Sequence, residues 1–336
     1  MGVLRQFRLR AERHAKLMRC VRKSASLRSV QNRTENLRPQ DVVIFSTLRN
    51  ELVRLPYFLD YYRAQGVRHF IMVDNGSTDG SAEYLAQQRD VSLWSSEASY
   101  KRASFGIDWL NHLLWLYGSG RWVLVVDVDE FFVYPFCDTR PVTALTDWLE
   151  SQGRRSFGAM LLDMYPKGPV TAHPYRAGQN PFEIARWFDA GNYSIKRNVA
   201  YHDLWIQGGV RQRVIMAHAP EKAPALNKIP LVHWSRKYAY LSSTHMLLPR
   251  GLNRVYDESG GEAASGVLLH AKFLDTVIGK AQEEMERREH YAGSREYRAY
   301  EDSLRRNQDL WCEWSTEYIN WRQLEILGLM SKGDWA

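Results

Sequence analysis

From residue 41 to residue 126 the chain alternates short apolar runs with segments of helical spacing, and few folds accommodate that alternation. Val42–Thr47, His69–Val73, Val91–Trp94 and Trp122–Val126 are nearly unbroken apolar runs, as strands buried on both faces must be. Between them, Leu52–Gln65, Ser81–Gln88 and Ile107–Tyr117 space their apolar residues three and four apart, and the first and last stop at Gly66 and Gly118, fitting helix ends. The pattern predicts an α/β fold: a mostly parallel sheet flanked by helices, with any ligand beyond the carboxyl ends of the strands. After Pro135 the rhythm loosens. Thr143–Ser151 reads as a helix and Ala159–Met164 as a strand; residues 165–235 are rich in Gly, Pro and aromatics, and 271–291 and 296–328 return to charged helical patterns.

The 336 residues carry a formal charge of +7, which on its face points to nucleic acid or a membrane surface. The charge is unevenly placed. Residues 1–40 hold eleven basic side chains against Glu12 and Glu35, a net of +9, which leaves the other 296 residues at −2. Within this tail Leu4, Phe7, Ala11, Met18 and Val21 share one helical face. The expectation is an amphipathic segment over residues 1–30 that lies on anionic lipid, or a helix docked on the body. No stacking aromatics accompany the arginines, so nucleic acid is not an expected partner. Cys20, Cys137 and Cys312 form no pair in sequence, which fits a reducing compartment. No apolar stretch approaches the roughly 18 residues that a span needs, and no secretory h-region precedes the body. The expected location is cytoplasmic, peripheral at the inner membrane face if the tail binds lipid.

Three motifs sit at strand ends. Val123-Leu-Val-Val runs into Asp127-Val-Asp129-Glu130, three carboxylates in four residues. Unpaired carboxylates are costly to bury, so these must meet a cation or solvent. Oxygen ligands two residues apart favour Mg²⁺ or Mn²⁺ held together with phosphates. Asp74-Asn75-Gly76-Ser77-Thr78-Asp79-Gly80 ends the second strand in a tight turn, where Asp74 is placed either to bind a nucleoside or simply to build a strand–turn–helix junction. Thr47-Leu-Arg49-Asn50-Glu51 offers polar groups where the first strand meets its helix. G-x-G-x-x-G and the P-loop are both absent.

In this order the three motifs resemble family 2-type glycosyltransferases of the GT-A fold, closest to a soluble, non-processive bacterial branch carrying DVDEFF. The resemblance covers about residues 41–135. It implies a GT-A domain over 41–275, with a nucleotide-sugar half (41–135) and an acceptor half (136–275), between the basic tail (1–40) and a C-terminal helical extension (276–336). It implies a UDP- or GDP-linked sugar donor, a glycan or lipid-linked acceptor, Mn²⁺ or Mg²⁺, inversion and a single transfer. Thr47, Asn50, Glu51 and Asp74 would then face the nucleoside, Asp127 the ribose or metal, and Asp129 the metal.

Lys101 and Arg102 are either phosphate contacts or a solvated basic pair. His270, ending the apolar run Gly266–His270, is either a late metal ligand or a core histidine, and Ser242–His245 forms a comparable cluster. Gly208-Gly-Val-Arg211-Gln-Arg213 resembles the acceptor-side stretch of family 2 enzymes. The Glu-Asp pair that the resemblance would make the base does not occur between Asp129 and His270; Asp163, Glu183, Asp189, Asp203 and Glu221 remain there, with Asp163 and Asp203 as the candidates. Trp187, Trp205 and Trp234 are placed to stack on sugars, and Trp311, Trp314 and Trp321 to pack C-terminal helices. Two alternatives stand beside the transferase: a haloacid-dehalogenase-like phosphatase using Asp127, and a non-catalytic GT-A-like sugar-binding protein. Against the phosphatase, two or three strand–helix units precede the Asp-x-Asp, and Phe131 stands where Thr or Val is needed.

Overall fold

The four apolar runs of the first half all become strands. The structure, a computed structural model, describes residues 2–256, 263–287 and 309–336. Its strands are β1 (Arg28–Gln31), β2 (Val43–Leu48), β3 (His69–Asp74), β4 (Val91–Ser95), β5 (Trp122–Val125), β6 (Glu130–Val133), β7 (Ser156–Asp163), β8 (Trp187–Asp189), β9 (Tyr193–Asn198), β10 (Asp203–Gly208), β11 (Asn227–His233), β12 (Ala239–Ser242), β13 (Met246–Leu248), β14 (Gly266–His270) and β15 (Ser315–Glu317). Its helices are α1 (Gly2–Lys23), α2 (Leu55–Ala64), α3 (Ser81–Ala86), α4 (Ile107–Leu113), α5 (Val142–Ser151), α6 (Thr276–Arg287) and, last, α7 (Trp321–Ile326).

Nine strands form one sheet in the order β1-β4-β3-β2-β5-β11-β7-β14-β6. β2, β3, β4 and β5 are mutually parallel, β7 and β14 are parallel to each other, and β1, β11 and β6 each run antiparallel to their neighbours. The chain is therefore α/β with a large, mostly parallel sheet and flanking helices. Every residue of β2 and β3 is buried. The two faces of the sheet feed two apolar clusters. One holds Phe58, Leu59 and Tyr62 of α2 against Phe70 and Phe131; the other holds Trp109 and Leu113 of α4 against Val43, Val73 and Trp234. The chain order reverses between β2 and β5, because β3 and β4 lie to one side of β2 and the later strands to the other. In open α/β sheets such a switch point opens a crevice at the carboxyl ends.

Several elements depart from the sequence expectation. Residues 28–31 belong to the sheet as its edge strand rather than to a detached tail. α1 packs on α4 and β12, with Cys20 buried. β6 and β11 were hidden, the first inside the acidic motif and the second inside an irregular stretch. The long helix expected over 296–328 is absent from its described part: Ser315–Glu317 pairs with β8, and α7 has only six residues. Trp321 is buried there while Trp314 is exposed. Residues 288–308 lie outside the described residues.

Two histidines, His69 buried and His245 half-buried, are held uncharged at neutral pH. His69 meets Ser92 Oγ at 2.8 Å, and burial pushes it down to about 4. His245 lies within 2.6 Å of the Asn227 carbonyl, and burial, with Lys228 nearby, pushes it down to about 3. Each protonates near 6.5 when unfolded. Below that pH the unfolded chain binds more protons, so stability falls as pH falls. From neutrality to about pH 5 the loss should be about 2 kcal/mol for each histidine. Urea denaturation of His69→Gln should show an acid slope shallower by about that amount; an unchanged slope would remove His69 as its source.

Candidate active site

β5 lies in the middle of the sheet and β6 at its edge, with β11, β7 and β14 between them. In a flat sheet the two would be about 19 Å apart, and the five steps from Val125 to Glu130 reach at most about 18 Å. A turn closed by Glu130 N–H to the Asp127 carbonyl at 3.0 Å shortens the link further. The sheet is therefore strongly curled, and the acidic motif is laid across the ends of the three intervening strands. Each supplies it a partner.

At the start of β11, Lys228 Nζ sits 2.9 Å from Glu130 Oε1, both side chains being buried. The other Glu130 oxygen accepts the Asp127 backbone N–H at 3.2 Å. At the end of β14, His270 Nε2 is 3.3 Å from Asp129 Oδ2, and the next residue, Ala271, donates its N–H to the Asp129 carbonyl at 2.8 Å. At the end of β7, Asp163 Oδ1 lies 2.6 Å from His270 Nδ1, and its second oxygen accepts from Arg211 Nε at 2.6 Å.

These contacts set the charges. Burial opposes ionisation of Asp129, but His270, Arg54 and Lys272 outweigh it and hold the carboxylate well below the usual range. Burial also opposes the charge on Asp163, which Arg211 and His270 hold down at about 2. His270 is pulled up, against burial, by Asp129 and Asp163. Asp127 differs. Its side chain is exposed, its carboxylate has no hydrogen-bond partner among the described residues, and desolvation and then Glu130 push it up to about 7.

The residues expected to face a nucleoside gather at the ends of β2 and β3, but the polar groups of Asn50, Glu51 and Asp74 are already engaged. Asp74 is buried; one oxygen accepts from Gly76 and Ser77 N–H at 3.1 Å, and the other from the Ser77 hydroxyl. It builds its own turn. Asn50, at φ 52°, accepts from Thr78 N–H at 2.8 Å. Thr47 is buried. Glu51 pairs with Arg54 at 2.9 Å and with Lys280. α6 lies over these strand ends: Glu283 accepts from Arg49 Nε at 2.7 Å and from Asn50 Nδ2 at 2.8 Å, and Arg287 donates to the Asn75 side chain at 3.0 Å.

The remaining candidates have different surroundings. Lys101 and Arg102 are exposed, and the Arg102 carbonyl accepts from Arg19 of α1 at 2.7 Å. Asp203 begins β10, five strand steps or roughly 16 Å from the Gly208 end that leads to Arg211. Its neighbours are Asn198 and Tyr256, and burial pushes it up to about 6. Arg211 and Arg213 turn inward, to Asp163 and to Asp189 at 2.9 Å. The turn between them and β10 needs glycine, since a Cβ on Gly208 (φ 150°) would collide with the Asn192 carbonyl. Trp234 is a core residue. Trp187 pairs edge-on with Trp311 at 6.0 Å beside Lys167.

Arg54, Lys228 and Lys272 were not singled out from sequence. The only sequence signal for Lys228 is a lysine in an otherwise apolar run; for Arg54, nothing at its own position marks it. Replacing Asp163 by Asn removes one of the two carboxylates that raise His270. In an NMR titration His270 of the variant should therefore titrate at lower pH than in the parent, and an equal value would show that Asp163 does not set its charge.

The chain matches no family model and no curated protein.

Proposed function

We propose that this chain is a glycosyltransferase of the GT-A type that transfers a sugar from a nucleotide-diphospho sugar, with divalent-metal dependence. The observation that carries the proposal is the arrangement at the switch point. Along the turn from β5 to β6 stand an exposed carboxylate (Asp127) and a second (Asp129) 3.3 Å from His270, an imidazole whose far nitrogen Asp163 holds at 2.6 Å. The ordered motifs at the ends of β2, β3 and β5, and a mostly parallel sheet flanked by helices, support the same reading.

Among the described residues no three His, Cys, Asp or Glu side chains stand close enough together to hold a metal ion; what supports a hard cation is the donor types, two carboxylates and an imidazole. Asp127 has oxygens without hydrogen-bond partners among the described residues, and desolvation, then the Glu130 charge, raise its pKa. Asp127, Asp129 and His270 would hold Mn²⁺ or Mg²⁺, and His270 has the carboxylate partner on its other nitrogen that orients a ligating imidazole. When bound, the metal neutralises the charge that develops on the departing nucleoside diphosphate. The protein supplies the remainder. Arg54 and Lys272, near enough to depress Asp129, add positive potential for the diphosphate. Asp163 acts through His270 as a positioning residue, since both its oxygens are taken. Lys228 and Glu130 fix the turn from which Asp127 and Asp129 project. The transfer itself is the single inverting displacement that the resemblance implies, to a glycan or lipid-linked hydroxyl.

Thermal unfolding with Mn²⁺ and UDP or GDP, together and apart, tests this. A nucleotide at about a hundred times its Kd adds about 2.7 kcal/mol, a rise of roughly 5 °C for a domain of this kind, and it should require the metal. Asp129→Asn should abolish the metal-dependent part, while Asp203→Asn should retain it. No stabilisation by any nucleotide sugar, or an unaltered response in Asp129→Asn, would overturn the proposal. An aspartyl-phosphate trapped at Asp127 would establish the phosphatase instead.

A further inference from the structure

α1 meets the body with one side and leaves a different side open. On the inner side, Cys20 is buried and Arg19 Nε reaches Asp108 at 2.7 Å. Lys16 Nζ donates to the Leu241 carbonyl at 2.9 Å, and Tyr201 donates to Glu12 at 3.2 Å. The helix is thus held by polar contacts. Its apolar stripe faces outward, with Leu4 82% exposed, Phe7 72%, Met18 59% and Val21 52%. Arg5, Arg8, Arg10 and Arg22 are also exposed, and the one acidic residue of α1, Glu12, is half-buried and accepts from Tyr201. Outward apolar residues on a helix anchored by charge reverse the usual arrangement, and that reversal needs a partner.

We propose that the outward face of α1 docks on a membrane surface rich in anionic lipid. The stripe supplies aromatic and aliphatic groups that enter the acyl boundary, and the arginines keep their heads at the phosphates. A second copy of this chain is the rival occupant, since Leu4, Phe7, Ala11, His14, Met18 and Val21 recur with heptad spacing. Charge decides between them. The positions flanking the stripe include Arg8, Arg10 and Arg22, so two such faces would bring like charges together, whereas an anionic surface matches every one of them. The inference rests on α1 alone and stands whether or not the transferase reading holds.

Co-sedimentation of the full chain with phosphatidylglycerol–phosphatidylcholine vesicles, and with phosphatidylcholine alone, tests it. Binding should need the anionic lipid and weaken with salt. Leu4→Gln with Phe7→Gln, at exposed positions that leave the helix anchors untouched, should lower partitioning by about tenfold or more. Arg5→Ala with Arg8→Ala should lower it by about fivefold for each charge. Equal binding to both vesicles, or full binding by the Leu4/Phe7 variant, overturns the proposal. So does a dimer of the parent in sedimentation equilibrium that the same variant converts to monomer. Nucleotide-dependent thermal shifts are read separately in all variants, so failure here is distinguishable from failure at the strand-end site.

Discussion

The site depends on one topological constraint: the chain must pass from β5 in the middle of the sheet to β6 at its edge within five residues. That passage lays the acidic motif over the ends of β11, β7 and β14. The sheet must curl to allow it, and the curl brings residues from distant parts of the sequence into one cluster. Lys228, His270 and Asp163 lie roughly 100, 140 and 35 residues from the motif, yet each stands at the strand end that the crossing passes. A sheet in which β6 followed β5 as an adjacent hairpin would have the same carboxylates and none of these partners.

The second constraint is charge balance in a place that water reaches poorly. Glu130 and Lys228 neutralise each other, Arg211 offsets Asp163, and His270 shares Asp129 and Asp163. Buried ion pairs of this kind contribute little net stability, because desolvation consumes most of the attraction. Their value here is geometric. They hold a rigid floor under Asp127, the one acidic group of the motif left without a partner among the described residues. Perturbed titration beside a specific charge partner in a cleft is how functional sites commonly present themselves.

The first half of the fold was legible because strands buried on both faces are written as continuous apolar runs, and β2 to β5 are such strands. β11 carries Lys228 and Pro230 and runs antiparallel, so its pattern resembles no buried parallel strand. β6 is four residues long and begins on the charged Glu130, so its pattern is too short and too polar at its start to read as a strand. The helix of α1 was visible in its spacing, but its orientation was not: Lys16 and Arg19 find their acceptors on Leu241 and Asp108, and no local rule anticipates contacts so distant in sequence. Asp163 ends its strand as the apolar run indicates, and the partners of its two oxygens, Arg211 and His270, come from positions that no local pattern links to it.

The same limit applies to Asp74. A carboxylate at the end of a buried strand suits a ligand or a turn equally well, and the spacing to Gly76 and Ser77 served the turn. A ligand arriving at the end of β3 therefore does not meet free oxygens of Asp74. It meets Arg49, Asn50 and Asn75, which Glu283 and Arg287 of α6 now engage. Any anion that binds there exchanges contacts with the helix instead of adding to them, so its affinity is the difference between two sets of hydrogen bonds. On that account the residues of α6 set the strength of binding at this end of the crevice as much as those of the strands beneath it.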